Sequence, residues 1–216
     1  MEQWTKDYLS LVTGEHLQGL NLTNLTEFDD CHNNQTMDAY TSQQTELLNQ
    51  ALSKHQLVID LGFGGGFPLL PLAKLNPQHR FLGIDARAKK VRAVQWVAQQ
   101  LNLSNVQTVH GRMEDFLIDQ PALVLVKGVG NIAKVLGYLQ FSQEITVIFY
   151  KGPQFYQKEA KEWKTISEKW SSIGEVKYHL PRGEERLLIG VKPKNVPRGT
   201  SSKQKNLISI KKVVYG

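Results

Sequence analysis

The stretch Val58 to Pro68, VIDLGFGGGFP, constrains the fold more than any other part of the chain. Val58, Ile59 and Leu61 form a short apolar run of the kind that is buried on both faces as a parallel strand. Four glycines follow at once, Gly62, Gly64, Gly65 and Gly66. They permit a tight turn in which backbone approaches a ligand without interference from a Cβ atom. Pro68 then suits the first turn of a helix, where a missing N–H costs nothing. A strand, a glycine loop and a helix in this order are expected to hold a nucleotide-like cofactor; a plain strand-to-helix turn with no ligand is the alternative.

A chain of 216 residues accommodates one well-buried α/β domain plus an appendage, and hardly two independent domains. The single cysteine, Cys31, excludes an intrachain disulfide and a cysteine-based zinc cluster, and reads as an ordinary thiol. The six histidines fall at no metal-ligand spacing, so no metal is expected. The start MEQWTKDYLSL lacks a basic segment leading into an apolar core, and no run of about 18 apolar residues occurs. A soluble, cytoplasmic protein without a membrane partner is expected.

The net charge of +6 is unevenly spread. Residues 1–55 carry −6, Lys192 to Gly216 carry +7 with no acid, and the middle carries +5. A basic tail on a basic core points to a polyanionic partner, since clustered Lys and Arg supply the sequence-independent part of nucleic-acid affinity. For the tail taken alone, a solvated segment that aids solubility is an equal reading.

Strands and helices alternate at the short spacings of a parallel sheet. A helix is predicted over Phe67 to Leu75, a strand over Arg80 to Asp85, and a long helix over Arg87 to Leu101, whose Val91, Val94, Ala98 and Leu101 share one face. Asn102, Ser104 and Asn105 end it. Further strands are predicted at Val106 to His110, Ala122 to Val126 and Ile145 to Tyr150, with a helix at Asn131 to Leu139. Gln154 to Trp170 reads as an exposed helix packing through Phe155, Ala160 and Trp163. Two late strands, Ile173 to Leu180 and Arg186 to Lys192, flank Pro181, Arg182 and Gly183 as an antiparallel pair. The predicted architecture is a doubly wound, mostly parallel, seven-stranded α/β sheet with a terminal hairpin. Residues 1–55 form a helical cap with a helix at Ser42 to Lys54, residues 56–192 the main domain, and residues 193–216 a basic tail. Within that tail Pro193 to Lys205 reads as a linker, and Leu207 to Tyr215 is apolar enough to add a strand or dock on a partner.

Ligands of open α/β sheets bind at the carboxyl ends of the strands. Asp85 lies 19 residues after Gly66, where an acid is expected to accept hydrogen bonds from ribose hydroxyls. Asp60 is a candidate to orient the loop or meet a cationic ligand group. Phe67 occupies a position that the dinucleotide fingerprint G-x-G-x-x-G reserves for glycine. S-adenosylmethionine (SAM) is therefore the leading ligand.

The segments DLGFGGGFPLLPLA and LGIDARAKKVRAVQWVAQQLNLSNVQTVHGRMEDF resemble the bacterial ribosomal RNA small-subunit methyltransferase G family, also called glucose-inhibited division protein B. The resemblance covers Leu57 to Phe116 and returns at Tyr150, Lys151 and Gly152 and at Gly183 to Ile189. It implies a Rossmann-like class I SAM-dependent methyltransferase that places a methyl group on N7 of a guanine in small-subunit (16S) ribosomal RNA, with that RNA or the ribosomal subunit as partner. Carried over by position, Gly62 and Phe67 line the methionine and ribose part of the cofactor, and Gly64 and Gly66 shape the loop. Asp85 with Ala86 beside it takes the ribose, and Met113 and Glu114 flank the adenine. Guanine N7 has an exposed lone pair and needs no deprotonation, so alignment and electrostatics suffice. No nucleophile or catalytic dyad is evident in the sequence, and no catalytic residue is assigned.

The chain departs from the family pattern in three places. Val126, Lys127 and Gly128 stand where the family has Ser-Arg-Ala, and lysine lacks the planar fork of arginine. Asn34 and Gln35 stand for an Arg-His pair, with Asp38 retained. The helical N-terminal part is shorter, and the basic tail has no family counterpart. Lys127 and Lys151 are candidate contacts to cofactor or RNA. Arg87, Lys89, Lys90 and Arg92 are candidates to contact phosphate but read more simply as the wet face of a helix. Arg112 reads as a partner of Glu114 or Asp115, and the four tryptophans read as core or staple residues, with stacking of an exposed one on an extruded base as the alternative. Two other function classes remain: a methyltransferase of the same fold acting on a small molecule or protein, and a non-catalytic relative that binds SAM or RNA. Steep loss of RNA binding with salt separates the first from the family reading.

Overall fold

Leu57–Leu61 is buried along its whole length, and its side chains alternate between two separate cores. This strand, β1, lies in the interior of a seven-stranded sheet. The computed structural model describes residues 1–17, 20, 22–197 and 206–216, the side chains of 160, 161 and 163–165 excepted. The sheet comprises β1, β2 (Arg80–Asp85), β3 (Val106–His110), β5 (Ala122–Lys127), β7 (Ile145–Lys151), β8 (Trp170–His179) and β9 (Glu185–Pro193). Their order is β3-β2-β1-β5-β7-β9-β8, and only β9 runs against its neighbours. The doubly wound sheet and its terminal hairpin follow the expected pattern, because parallel strands need long crossovers and the spacing of the apolar runs leaves room for a covering helix in four of the five, the connection from β3 to β5 being the exception.

One face is covered by α1 (Glu2–Thr13), α4 (Glu46–Lys54), α5 (Leu69–Leu75) and α6 (Ala88–Gln100), whose buried side chains share a core with Val58, Phe81 and Leu123. The other is covered by α7 (Ile132–Tyr138), α8 (Phe155–Ile166) and the C-terminal α9 (Ile210–Tyr215). α6 stops as expected: Asn102 adopts φ +54°, and the Leu103 and Asn102 amides bond back to the Ala98 and Gln99 carbonyls. That pairing closes a helix end around a left-handed residue, which Asn tolerates.

Several boundaries differ from the sequence reading. The helix expected over Ser42 to Lys54 is two, α3 (Met37–Gln44) and α4, because Thr45 takes an extended conformation and its hydroxyl accepts the Leu48 amide. The helix expected from Phe67 begins at Leu69, leaving Phe67 in the loop. α8 ends at Ile166 rather than Trp170, which instead starts β8 and packs its ring 5.6 Å from Phe141. Phe155 is buried as expected, whereas the side chains of Ala160 and Trp163 lie outside the described residues. So does most of the expected linker, residues 198–205; Pro193 itself closes β9.

A second, small sheet was not expected. β4 (Phe116–Ile118) pairs with β6 (Gln140–Phe141) and with β10 (Ile208–Ser209), all parallel. Asp119 accepts from the Ser209 hydroxyl at 2.5 Å and the Lys211 amide at 2.8 Å, and Ile210 is fully buried. The chain between β3 and β5 holds only a short 3-10 turn and β4, with no helix to cover the sheet. The apolar C-terminal segment, for which a partner was one option, joins the core that this leaves open.

Candidate functional site

The carboxyl ends of β1, β2 and β5 open into one cleft of about 660 Å³. It lies where the strand order reverses, with β2 and β5 on either side of β1, and loops diverge to opposite faces there. Gly62, Phe63, Gly64, Gly65 and Phe67 line it from the first loop, Asp85, Arg87 and Lys90 from the second, and Lys127, Gly128 and Val129 from the third. Leu22 to Leu25 and Gln35 wall its remaining side.

The glycines do different jobs. Gly62, Gly64 and Gly66 hold φ of +71°, +58° and +95°, a region costly for other residues. A Cβ at Gly62 would meet Val129 at 2.6 Å, and one at Gly66 would meet Leu70 at 2.7 Å, so both are needed for packing. At Gly64 nothing among the described residues lies nearer than 3.9 Å, which leaves the backbone open to a ligand there. Gly65 admits the cap: its Cβ would sit 2.5 Å from the Leu22 carbonyl oxygen and 3.1 Å from the Tyr8 hydroxyl.

Asp85 is buried to 8% exposure at the end of β2. One oxygen accepts the Gly64 amide at 3.1 Å and the other the Arg87 amide at 2.8 Å. Each carboxylate oxygen has a second acceptor site, so Asp85 holds the glycine loop and still has capacity for a ligand hydroxyl. Asp60 does not line the cleft. It lies fully buried below the loop, and among the described residues neither oxygen makes a hydrogen bond of ordinary geometry. Burial pushes its carboxyl up to about 7, offset in part by the nearby Leu69 amide and the Lys127 charge.

Lys127 closes β5 at the far side of the cleft. Its ammonium donates to Asp38 Oδ2 at 2.5 Å and to Gln35 Oε1 at 2.9 Å, and lies 5.9 Å from the centre of the Tyr150 ring. Tyr178 donates to the other Asp38 oxygen at 2.5 Å. Burial, with Asp38 adding to it, raises the Tyr178 pKa and keeps it a donor. Gln35 belongs to a π-helical turn, His32–Thr36, just before α3. Two positions at which the sequence departs from the family pattern, 35 and 127, are thus in direct contact.

Other candidates lie elsewhere. Lys151 is not in the cleft: its ammonium donates to Glu159 at 2.7 Å and to the Gly130 carbonyl at 2.9 Å, while Glu159 also accepts the Ile132 amide. It steadies the loop after β5. Ala86, Met113 and Glu114 lie outside the cleft lining. Glu114 pairs with Arg112 at 3.9 Å, and the Arg112 amide donates to Asp115. Lys89 and Arg92 are exposed as expected, but Lys90 of the same helix and Arg87, which caps it in an extended conformation rather than starting it as expected, line the cleft, which the charge pattern alone did not show. Trp4 and Trp170 are buried and Trp96 is half-buried against His16; burial also pushes the Cys31 thiol up to about 12.

Sequence reasoning missed the cap contacts. Tyr8 donates to the Gly65 carbonyl at 2.7 Å, stacks on Trp4 at 5.7 Å and meets the Phe67 ring edge-on at 4.9 Å. The four-residue spacing of Trp4 and Tyr8 marks one helix face, yet nothing in it indicates which loop that face covers. Among the described residues no group of three or more His, Cys, Asp or Glu side chains gathers to hold a metal, and no helix is long and apolar enough to cross a membrane.

The open space at Gly64, the spare acceptor capacity of Asp85 and a volume within the usual range for small-molecule sites fit a nucleoside-bearing ligand such as SAM. Comparison with known proteins agrees. The chain is 28% identical over 220 residues to ribosomal RNA small subunit methyltransferase G of Lactococcus lactis, covering 94% of this chain and 90% of that protein. It is 30% identical over 222 residues to the protein of that name from Leuconostoc mesenteroides, with the same coverage. The fold matches the O-methyltransferase from Bacillus cereus solved in complex with SAH, with a TM-score of 0.60 at 13% identity over 88% of this chain and 90% of that one. The model of the GidB family, rRNA small subunit methyltransferase G, matches residues 1–189, and with the cleft described above this shows that the chain belongs to that family.

Proposed function

We propose that the cleft binds SAM and that the enzyme transfers its methyl group to N7 of a guanine in small-subunit ribosomal RNA. The observation that carries this reading is the arrangement of Asp85, the glycine loop and Lys127 across the ends of β2, β1 and β5. The ribose is assigned to Asp85 and the methionine portion to the loop from Gly62 to Phe67, with the adenine reaching past Asp85, beyond the cleft lining, toward Ala86, Met113 and Glu114. When bound, SAM supplies an electrophilic methyl on sulfonium sulfur; the N7 lone pair forms the new N–C bond as the S–C electrons return to sulfur, and no proton moves.

The residues of the chain then act by placement. The glycine loop and Phe67 fix the ligand, Tyr8 and Leu22 to Leu25 exclude water on the cap side, and Arg87 and Lys90 offer positive charge to a polyanion at the rim. The reading places the chain in the cytoplasm, with the small subunit or its RNA as partner. It is tested by incubating the protein with labelled SAM and with either naked small-subunit RNA or intact subunits, then mapping the label to a base. Incorporation at one guanine N7, with RNA binding that weakens steeply with salt while SAM binding does not, is expected. SAM binding without methylation of either RNA form would refute the reading.

A further inference from the structure

We propose that Lys127 is the residue that selects guanine as methyl acceptor, by donating a hydrogen bond to its O6 while N7 faces the methyl group. This rests on the guanine N7 reading above.

Asp85 and Lys127 stand at the ends of β2 and β5, on opposite sides of β1. Two strand spacings separate them, roughly 10 Å. A cofactor with its ribose at Asp85 and its methionine along the Gly62 loop therefore carries its methyl toward the Lys127 end of the cleft. A base entering at that end meets one charged side chain from the strand ends, and it is a lysine.

The Lys127 ammonium has three N–H donors and no acceptor. Among the described residues two are spent, on Asp38 Oδ2 and Gln35 Oε1, which leaves one for a ligand. Its side chain is 21% exposed, against 1% for Asp38. The buried carboxylate anchors the ammonium, and Tyr178 holds the carboxylate in turn. The free donor is thus fixed in place on a rigid support rather than borne on a mobile arm.

Donor-only character decides the base. Guanine presents two adjacent acceptors, N7 and O6, on one edge, whereas adenine presents N7 beside an amino group that is itself a donor. A fixed ammonium accepts the first edge and repels the second. Asp38 and Gln35 are positioning residues in this arrangement and do not touch the base.

The test uses the full chain and the RNA segment to which the label maps, prepared with guanosine, inosine or 2-aminopurine riboside at the acceptor position. Inosine keeps O6 and 2-aminopurine lacks it. The wild-type protein is expected to use inosine within about threefold of guanosine, and to lose 10- to 100-fold in kcat/KM with 2-aminopurine, a good base contact being worth about that much. Because N7 differs intrinsically in reactivity among the bases, the deciding quantity is the coupling. Lys127→Met should lose a similar factor on guanosine and little more on 2-aminopurine, with the SAM Kd unchanged. Asp38→Asn should move in the same direction, with Tyr178→Phe as the milder variant should Asp38→Asn fail to fold. Additive losses, or a SAM Kd that rises as kcat/KM falls, would overturn the assignment and make Lys127 a cofactor contact. A wild-type protein that methylates no guanosine-containing RNA would overturn the underlying reading as well, a different and separately visible result.

Discussion

Gly65→Ala tests whether the helical cap is seated on the glycine loop. Gly65 is not one of the loop glycines with positive φ, so the added methyl brings no backbone strain and acts through contact alone. Its Cβ would lie 2.5 Å from the Leu22 carbonyl oxygen and 3.1 Å from the Tyr8 hydroxyl. Reaching an ordinary contact of about 3.4 Å requires Leu22 to retreat by about 0.9 Å. Overpacking of this kind costs about 1–3 kcal/mol, and weakening of the 2.7 Å bond from Tyr8 to the Gly65 carbonyl adds about 1 kcal/mol. A loss of about 2–4 kcal/mol is expected in urea unfolding followed by tryptophan fluorescence, to which Trp4 beside Tyr8 contributes. The wall formed by Leu22 to Leu25 moves with the cap, so SAM affinity should fall about tenfold, or about 1.4 kcal/mol. Tyr8→Phe shares the contact, and the two changes together should cost less than their sum. Stability within 0.5 kcal/mol of wild type and unaltered SAM binding would refute the seating of the cap.

Three further outcomes are expected. Asp85→Asn should weaken SAM binding by about 1–3 kcal/mol in calorimetry and lower ligand-free stability by about 1 kcal/mol, since one of the Gly64 and Arg87 amides loses its acceptor. Unchanged affinity would remove Asp85 from the ribose site. Asp60, with a folded pKa of about 7 against 3.8 for the free group, binds a proton more tightly folded than unfolded. The wild type should therefore lose stability relative to Asp60→Asn as pH rises from about 4 to about 7, by up to about 1.4 kcal/mol per pH unit, and run parallel to it above. Parallel curves throughout would show that the buried acid is not protonated. Ile210→Ala should cost about 2–4 kcal/mol in urea unfolding, because the side chain is fully buried in the core beneath β4. An unaffected midpoint would mean that the C-terminal helix does not dock as described.

Local chemistry made the centre of the molecule legible. VIDLGFGGGFP encodes a buried strand, a loop and a helix within a few residues, and periodicity places α6 and its Asn102 stop with little dependence on the rest of the chain. The boundary errors have local causes too. Thr45 competes as a cap within a helical pattern, and Trp170 is as suitable to open a strand as to close a helix. What was missed is of another kind. Lys127 and Lys151 both end parallel strands ahead of a glycine, yet one faces the cleft and the other is spent on Glu159 and Gly130. Arg87 and Lys90 look like their exposed neighbours Lys89 and Arg92 until the cleft forms beside them.

The sequence by itself determined the strand–loop–helix unit, the alternation that yields a doubly wound sheet, and the acids and glycines at the strand ends, because each depends on contacts only a few residues apart along the chain. Tertiary structure alone decided that Tyr8 seats the cap on Gly65, that Gln35 and Asp38 converge on Lys127 with Tyr178 behind Asp38, and that the C-terminal segment covers its own core. Those contacts join residues 57, 92, 89 and 140 positions apart, and β10 lies about as far from β4. At such separations no periodicity or propensity links the partners; only the packing of the whole sheet brings them within hydrogen-bond distance.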